Sequence, residues 1–207
     1  MRLKVPYYSY SDIGEKVDAF FAQFYPSREI PIPIEEIIDL KLQLHIHPFP
    51  RLYIDHGQNG FLSADRTTIC VDKVQYDQYI DKFRYTLAHE LGHFILHEAC
   101  YKDQSFSSPI DYVKWLMSVD RESIGWFETH ADWFAEQILV PTAPLENICR
   151  EVIAKHKKTF SALKVVPDTI WSYISNEISG YFDVNPPVVE CRLHRSELTK
   201  RIHIIDV

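Results

Sequence analysis

Residues 89 to 93 read His89-Glu90-Leu91-Gly92-His93. Two histidines four residues apart on a helix lie one turn from each other, so both rings can offer a nitrogen to one zinc ion at about 2.0 to 2.1 Å. The glutamate between them can reach a water on that ion, which suits metal-assisted peptide hydrolysis with Glu90 as general base. At about 100° per residue, with His89 at zero, His93 falls at about 40°, His97 at about 80° and Glu90 at about 100°, so the polar groups share one arc. Phe83, Leu87, Leu91 and Ile95 form a separate stripe that can face a core. The alternative is a set of structural histidines beside a solvated glutamate. It is disfavoured because so many polar groups on one face of an apolar helix are costly to bury without a purpose.

A catalytic zinc needs a third protein ligand and an open coordination position. His97 is a poor third ligand, lying eight residues from His89 and so about 12 Å further along the same helix. A second helical pattern offers Glu128 as the ligand. Asp132, one turn on, can accept a hydrogen bond from the far nitrogen of a zinc-bound histidine, while Phe127, Ala131, Phe134, Ala135 and Ile138 form the core stripe. The alternative for this pair is a solvated acidic face. His130, about 200° around that helix from Glu128, points elsewhere and is expected at the surface or the edge of the core. Hydrolysis also needs a donor for the developing oxyanion; Tyr85, His97 and the unplaced stretch 101–125 are all candidates for oxyanion or substrate contacts.

The elements that must hold these groups follow from periodicity. Ser11 or Asp12 can cap a helix carrying Ile13, Val17, Phe20, Phe21 and Phe24 on one face and ending before Pro26. After Ile30-Pro31-Ile32-Pro33, a short helix over Ile34, Ile37 and Ile38 leads into the alternating run Leu42 to His47, read as a strand with His45 and His47 on its solvated face. Further β-favouring runs, Leu52 to Ile54, Gly60 to Ser63 and Thr67 to Val71, are separated by turn signals and suggest a small twisted sheet. The period then switches to 3.6 from Asp81 to Glu98 and again from Phe127 to Leu139, ending at Pro141; between them only Val113 to Met117 reads as helical. Gly92, which costs about 1 kcal/mol relative to Ala inside a helix, marks a place where another backbone packs closely. From about Lys155 helical spacing returns in Ile170, Trp171, Ile174 and Ile178, followed by Gly180 and a short helix opened by Asn185-Pro186-Pro187. This end reads as a helical pair packed on the main core in preference to a DNA-reading helix-turn-helix.

Composition sets the outer limits. With 207 residues, 46% hydrophobic and 25% charged, the chain is an ordinary globular one, expected to form a main domain over 1–154 with a helical part over 155–207. Its 22 Lys+Arg against 29 Asp+Glu leave a net charge of −7, which works against coating nucleic acid, and no direct nucleic-acid partner is expected. No apolar run is long enough to span a membrane, and the first residues lack the apolar core of a signal peptide. The four cysteines form no Cys-x-x-Cys pair and are expected as reduced thiols of a cytoplasmic protein.

The stretch Phe83-Arg84-Tyr85-Thr86-Leu87-Ala88-His89-Glu90-Leu91-Gly92-His93, with Phe127-Glu128, Ala131-Asp132-Trp133-Phe134-Ala135 and Leu139-Val140-Pro141, resembles the ImmA/IrrE family of zinc metallo-endopeptidases. Pro31-Ile32-Pro33-Ile34, Phe61-Leu62-Ser63-Ala64 and Tyr181-Phe182-Asp183-Val184 before Arg192-Leu193 extend the likeness over about residues 30 to 195. The resemblance implies an α+β chain: a minimal thermolysin-like zincin with a small twisted sheet, an active-site helix and a C-terminal helical part. It implies Zn²⁺ held by His89, His93 and Glu128, with Glu90 as the catalytic carboxylate. It further implies a mobile-element or bacterial origin and cleavage of a helix-turn-helix transcriptional repressor, which relieves repression. His130 departs from the acidic residue common at its place in the family. Two rival readings of the chain are a zinc-stabilised adaptor that binds a repressor without cutting it, and a toxin-like module.

Overall fold

The computed structural model describes residues 1–163 and 167–202. It is a mostly helical α+β structure with one small mixed sheet and helices at the C-terminal end. Its contacts divide it into two compact units, one of residues 1–27 and 33–135, the other of 28–32 and 136–202 among those described.

The first unit opens with α1 (Tyr10–Phe24). Ser9 caps it two residues ahead of the expected start, because Ser9 and Asp12 form a reciprocal capping box. Ile13, Val17, Phe20 and Phe21 are its buried face. Next come α2 (Ile34–Glu36) and a π-helical turn over Ile37–Lys41, whose backbone binds Leu42 and Leu44. Gln43 takes a left-handed conformation there, so the strand expected from Leu42 begins only at β1 (His45–Phe49). His45 and His47 are both exposed, as alternation predicts.

Leu52 to Ile54, expected as a strand, is instead part of α3 (Leu52–His56). The reason is capping: buried Asp72 accepts hydrogen bonds from Tyr53 N–H at 2.9 Å and from Val74 N–H at 3.0 Å. One carboxylate thereby starts both α3 and α4 (Lys73–Gln78), and satisfied backbone donors outweigh β propensity. The sheet has the order β1-β3-β2, with β2 (Gly60–Leu62) antiparallel and β1 parallel to the central β3 (Thr68–Asp72). Phe61 sits opposite Cys70 and Ile46 opposite Ile69.

Helix α5 (Ile80–Leu96) lies against the sheet and buries Phe83, Leu87, Leu91 and Leu96. Leu96 is buried in the place expected for Ile95, which is only half-buried. The stretch expected as largely loop holds α6 (Glu98–Tyr101) and α7 (Pro109–Ser118), capped by Ser108. Tyr101, Phe106, Tyr112, Trp115 and Phe127 form an aromatic cluster that fixes α7. Helix α8 (Arg121–Leu139) follows. It crosses α5 where Gly92 is: a Cβ there would lie 3.0 Å from Ala131 Cα and 3.1 Å from its carbonyl oxygen. This is the close backbone approach that a mid-helix glycine signals.

In the second unit, the end of α8 continues through α9 (Thr142–Leu163), α10 (Pro167–Ile178), a 3-10 turn at Ser179–Tyr181, α11 (Pro186–Arg195) and α12 (Leu198–Arg201). Buried Leu145, Cys149, Trp171, Ile174, Phe182 and Leu193 form its core. Buried Arg192 donates to the Val140 carbonyl at 3.1 Å and to Thr142 Oγ1 at 2.6 Å, and Arg195 pairs with Glu136. No helix among the described residues is long and apolar enough to cross a membrane.

Candidate metal centre

Helices α5 and α8 can carry facing polar groups because small residues let their backbones meet at Gly92 and Ala131. One turn from that crossing, His89 Nε2 lies 3.1 Å from His93 Nε2 and 3.1 Å from Glu128 Oε2, and His93 Nε2 lies 3.7 Å from the same oxygen. Donors 2.0 to 2.1 Å from a shared tetrahedral zinc would be about 3.3 Å apart, so the three observed separations bracket what such an ion requires. His89, His93 and Glu128 could therefore hold a metal ion, the one such group found among the described residues.

Each neighbour has a distinct place. Asp132 Oδ1 lies 2.9 Å from His89 Nδ1 and also accepts from the Tyr85 hydroxyl at 3.1 Å, so Tyr85 is tied to the carboxylate that orients His89. Burial opposes charge on His89, yet Asp132 and Glu128 outweigh it and hold the ring well above its ordinary pKa. Glu128 answers in the opposite sense: burial favours its neutral form, but His89 and His93 keep it well below the carboxylate range.

Glu90 is buried, and burial pushes its pKa up to about 7, against the opposing pull of His89. The Leu62 N–H reaches its carboxylate, while Oε2 is buried without a hydrogen-bond partner. This unpaired carboxylate oxygen carries a desolvation cost and stands beside the three possible metal donors.

His97 does not face the cleft. It is fully buried behind His93, with its Nδ1 3.0 Å from His93 Nδ1, and Phe127 stacks on both rings. His130, expected at the surface or core edge, is also fully buried, with Nδ1 3.5 Å from His97 Nε2. About 200° around α8 from Glu128, it turns toward the far side of His97, a neighbour that helix angle alone does not specify.

His89 and Glu128, but not the buried His93, open onto a cleft of about 210 Å³ that is also lined by Gly57, Gln58, Asn59, Gly60, Tyr85, Thr86, Glu90 and Asp132. Tyr112 completes it. Its ring stacks on Phe61, its side chain is otherwise buried, and its hydroxyl makes no hydrogen bond among the described residues. No single-residue signal marked Tyr112 in the sequence; the start motif Ser108-Pro109 with Asp111 would have found its helix but not its direction. β2 is buried along its length, so the cleft meets this edge strand only where the chain enters it, at Asn59 and Gly60. Pairing through Asn59 and Ser63 to β3 leaves the Gly60 backbone groups turned to the outer edge. No protein-family model, curated protein or solved structure matches this chain.

Proposed function

We propose that this protein is a zinc-dependent endopeptidase of the ImmA/IrrE kind, a minimal zincin that cuts a helix-turn-helix transcriptional repressor and so relieves repression. The observation that carries the reading is the buried, unpartnered Oε2 of Glu90 beside the His89, His93 and Glu128 donors, at a cleft that His89, Glu90 and Glu128 line. Zinc, when bound, supplies Lewis acidity, bringing a water toward a pKa of about 7 and polarising the scissile carbonyl. Glu90 takes the proton of the attacking water and delivers it to the leaving amine, a task suited to a carboxyl raised to about 7. The Tyr112 hydroxyl, free to donate, hydrogen-bonds the carbonyl oxygen as it gains negative charge. Asp132, steadied by Tyr85, keeps the His89 ring in its metal-facing orientation.

A cleft of about 210 Å³ is smaller than most ligand pockets, which start at about 300 Å³, and admits an extended segment rather than a folded domain. Such a segment would pair with the free backbone groups at Gly60.

The test incubates the zinc-loaded protein and its Glu90→Gln variant with the helix-turn-helix protein encoded beside it and with a peptide library, followed by intact mass. Cleavage by wild type, with a loss of about 10²-fold to 10⁴-fold in the variant at unchanged zinc content, supports the reading. Binding of the repressor without any cut, in both arms, replaces it with a non-cleaving adaptor.

A further inference from the structure

Behind the metal donors lies a second layer of imidazoles that the proposed chemistry does not use. His93 presents Nε2 to His89 and Glu128, so in a metal-holding group that nitrogen must offer a lone pair and Nδ1 must carry the ring's proton. His93 Nδ1 lies 3.0 Å from His97 Nδ1. Two ring nitrogens at that distance share one proton, so His97 Nδ1 must be the acceptor and His97 must carry its own proton on Nε2. That N–H is aimed at His130 Nδ1, 3.5 Å away at the outer limit of a hydrogen bond. Both His97 and His130 are fully buried, and the Tyr8 carbonyl accepts from the His130 ring, which leaves Nδ1 as the acceptor for His97 when the His130 proton sits on Nε2. Phe127, stacked at 4.0 Å on His93 and 4.5 Å on His97, holds the two rings in place.

We infer that His97 is a positioning residue: by accepting from His93 Nδ1–H it selects the tautomer and ring angle in which His93 Nε2 serves as a metal donor, and His130 in turn keeps the His97 acceptor facing His93. The inference rests on the metal reading above and concerns ligand geometry, not peptide hydrolysis. His89 has a carboxylate, Asp132, in the corresponding role. The two histidines are thus oriented by different chemistry, one by a charged acceptor within the cleft and the other by a neutral acceptor in the core.

The protein and three variants, His97→Leu, His97→Asn and the control Glu177→Gln, are titrated with zinc against a chromophoric chelator and with Co²⁺ by visible absorption. His97→Leu deletes the acceptor, while His97→Asn can return one near the Nδ1 position. Loss of such an outer partner lowers metal affinity by roughly 10-fold to 100-fold. The expected result is that loss in His97→Leu with an altered Co²⁺ band, recovery of most of it in His97→Asn, and none in Glu177→Gln, whose carboxylate pairs with Lys155 and His156 and touches none of the metal donors. Wild-type affinity in His97→Leu, or an equal loss in His97→Asn at unchanged thermal stability, overturns the inference.

Nitrogen-15 NMR of the zinc-loaded wild type checks the tautomer without any substitution, so a variant that fails to fold does not end the test. Zinc on His93 Nε2 with a hydrogen-bonded Nδ1–H is expected, and zinc on Nδ1 overturns it. Because these readouts need no substrate, a chain that binds zinc in this way but cuts nothing would refute the peptidase reading and leave the positioning role standing.

Discussion

At the scale of single residues, the site divides into groups that could hold a metal and groups that could act on a substrate, and the structure separates them by direction. His89, His93 and Glu128 converge, Glu90 stands beside them with an unpaired oxygen, and Tyr112 brings a hydroxyl without a partner into the same cleft. Tyr85, by contrast, is engaged by Asp132 and is poorly free to serve an oxyanion. Removing one oxyanion donor typically costs about 10² to 10³ in kcat. Tyr112→Phe is therefore expected to lower kcat by that order while KM and zinc content stay near wild type, measured on the substrate found by mass spectrometry. An unchanged kcat would remove Tyr112 from the chemistry. The Phe61 ring that stacks on Tyr112 should keep the phenyl ring in place, so this substitution tests the oxygen alone.

At the scale of elements, the crossing of α5 and α8 decides whether the donors meet. Alanine at position 92 would favour an isolated helix by about 1 kcal/mol. Here its Cβ would press on the Ala131 backbone at 3.0 and 3.1 Å and on Phe134 Cβ at 3.2 Å. Overpacking of this kind costs about 1 to 3 kcal/mol, and helix backbone yields less readily than a side chain. Gly92→Ala should therefore destabilise the protein by up to about 2 kcal/mol in urea unfolding and weaken zinc binding by spreading the two helices. A variant as stable as wild type would show that the crossing is looser than described. The helix-forming pattern of α5 and α8 was legible from the spacing of their apolar residues, and so was the meaning of Gly92. The conversion of Leu52 to Ile54 into a helix was not, because its cause is the Asp72 side chain, nineteen residues from Tyr53.

At the scale of the whole molecule, a bound ion and the pH both act on the folded state. A ligand that binds only the folded chain adds about 2.7 kcal/mol when present at 100 times its Kd. For a chain of this size that is a rise in Tm of roughly 5 to 10 °C. Zinc should produce this shift in the wild type, a chelator should reverse it, and His93→Ala should abolish it in a calorimetric scan. Absence of any zinc-dependent shift in the wild type would argue against a metal held by the folded protein.

The second unit has an acid-sensitive contact of its own. Glu177 accepts from Lys155 Nζ at 2.8 Å and lies 3.2 Å from His156 Nε2, and the Lys155 bond leads in lowering its pKa from 4.5. A carboxyl lowered by folding stabilises fully above its unfolded pKa and loses that contribution as pH falls through the folded value. Glu177→Gln should thus cost about 1 kcal/mol or less at pH 7, and the difference from wild type should shrink as pH drops below 4.5. A difference that grows in acid would contradict the pairing.

What the sequence determined by itself is what local periodicity and short spacing can encode: two amphipathic helices, the His89-Glu90-His93 turn, Glu128 and Asp132 one turn apart, and an α+β composition with a small sheet. These are properties of neighbours along the chain, set by 3.6 residues per turn and by alternation. What the tertiary structure decided is everything that depends on residues distant in sequence but close in space. That includes the burial of His97 and His130 in a line behind His93, the entry of Tyr112 into the cleft from a stretch without strong periodicity, and the loss of any partner for Glu90 Oε2. A side chain's direction relative to another element is fixed by how two helices pack, and packing is a property of shapes that no local pattern carries.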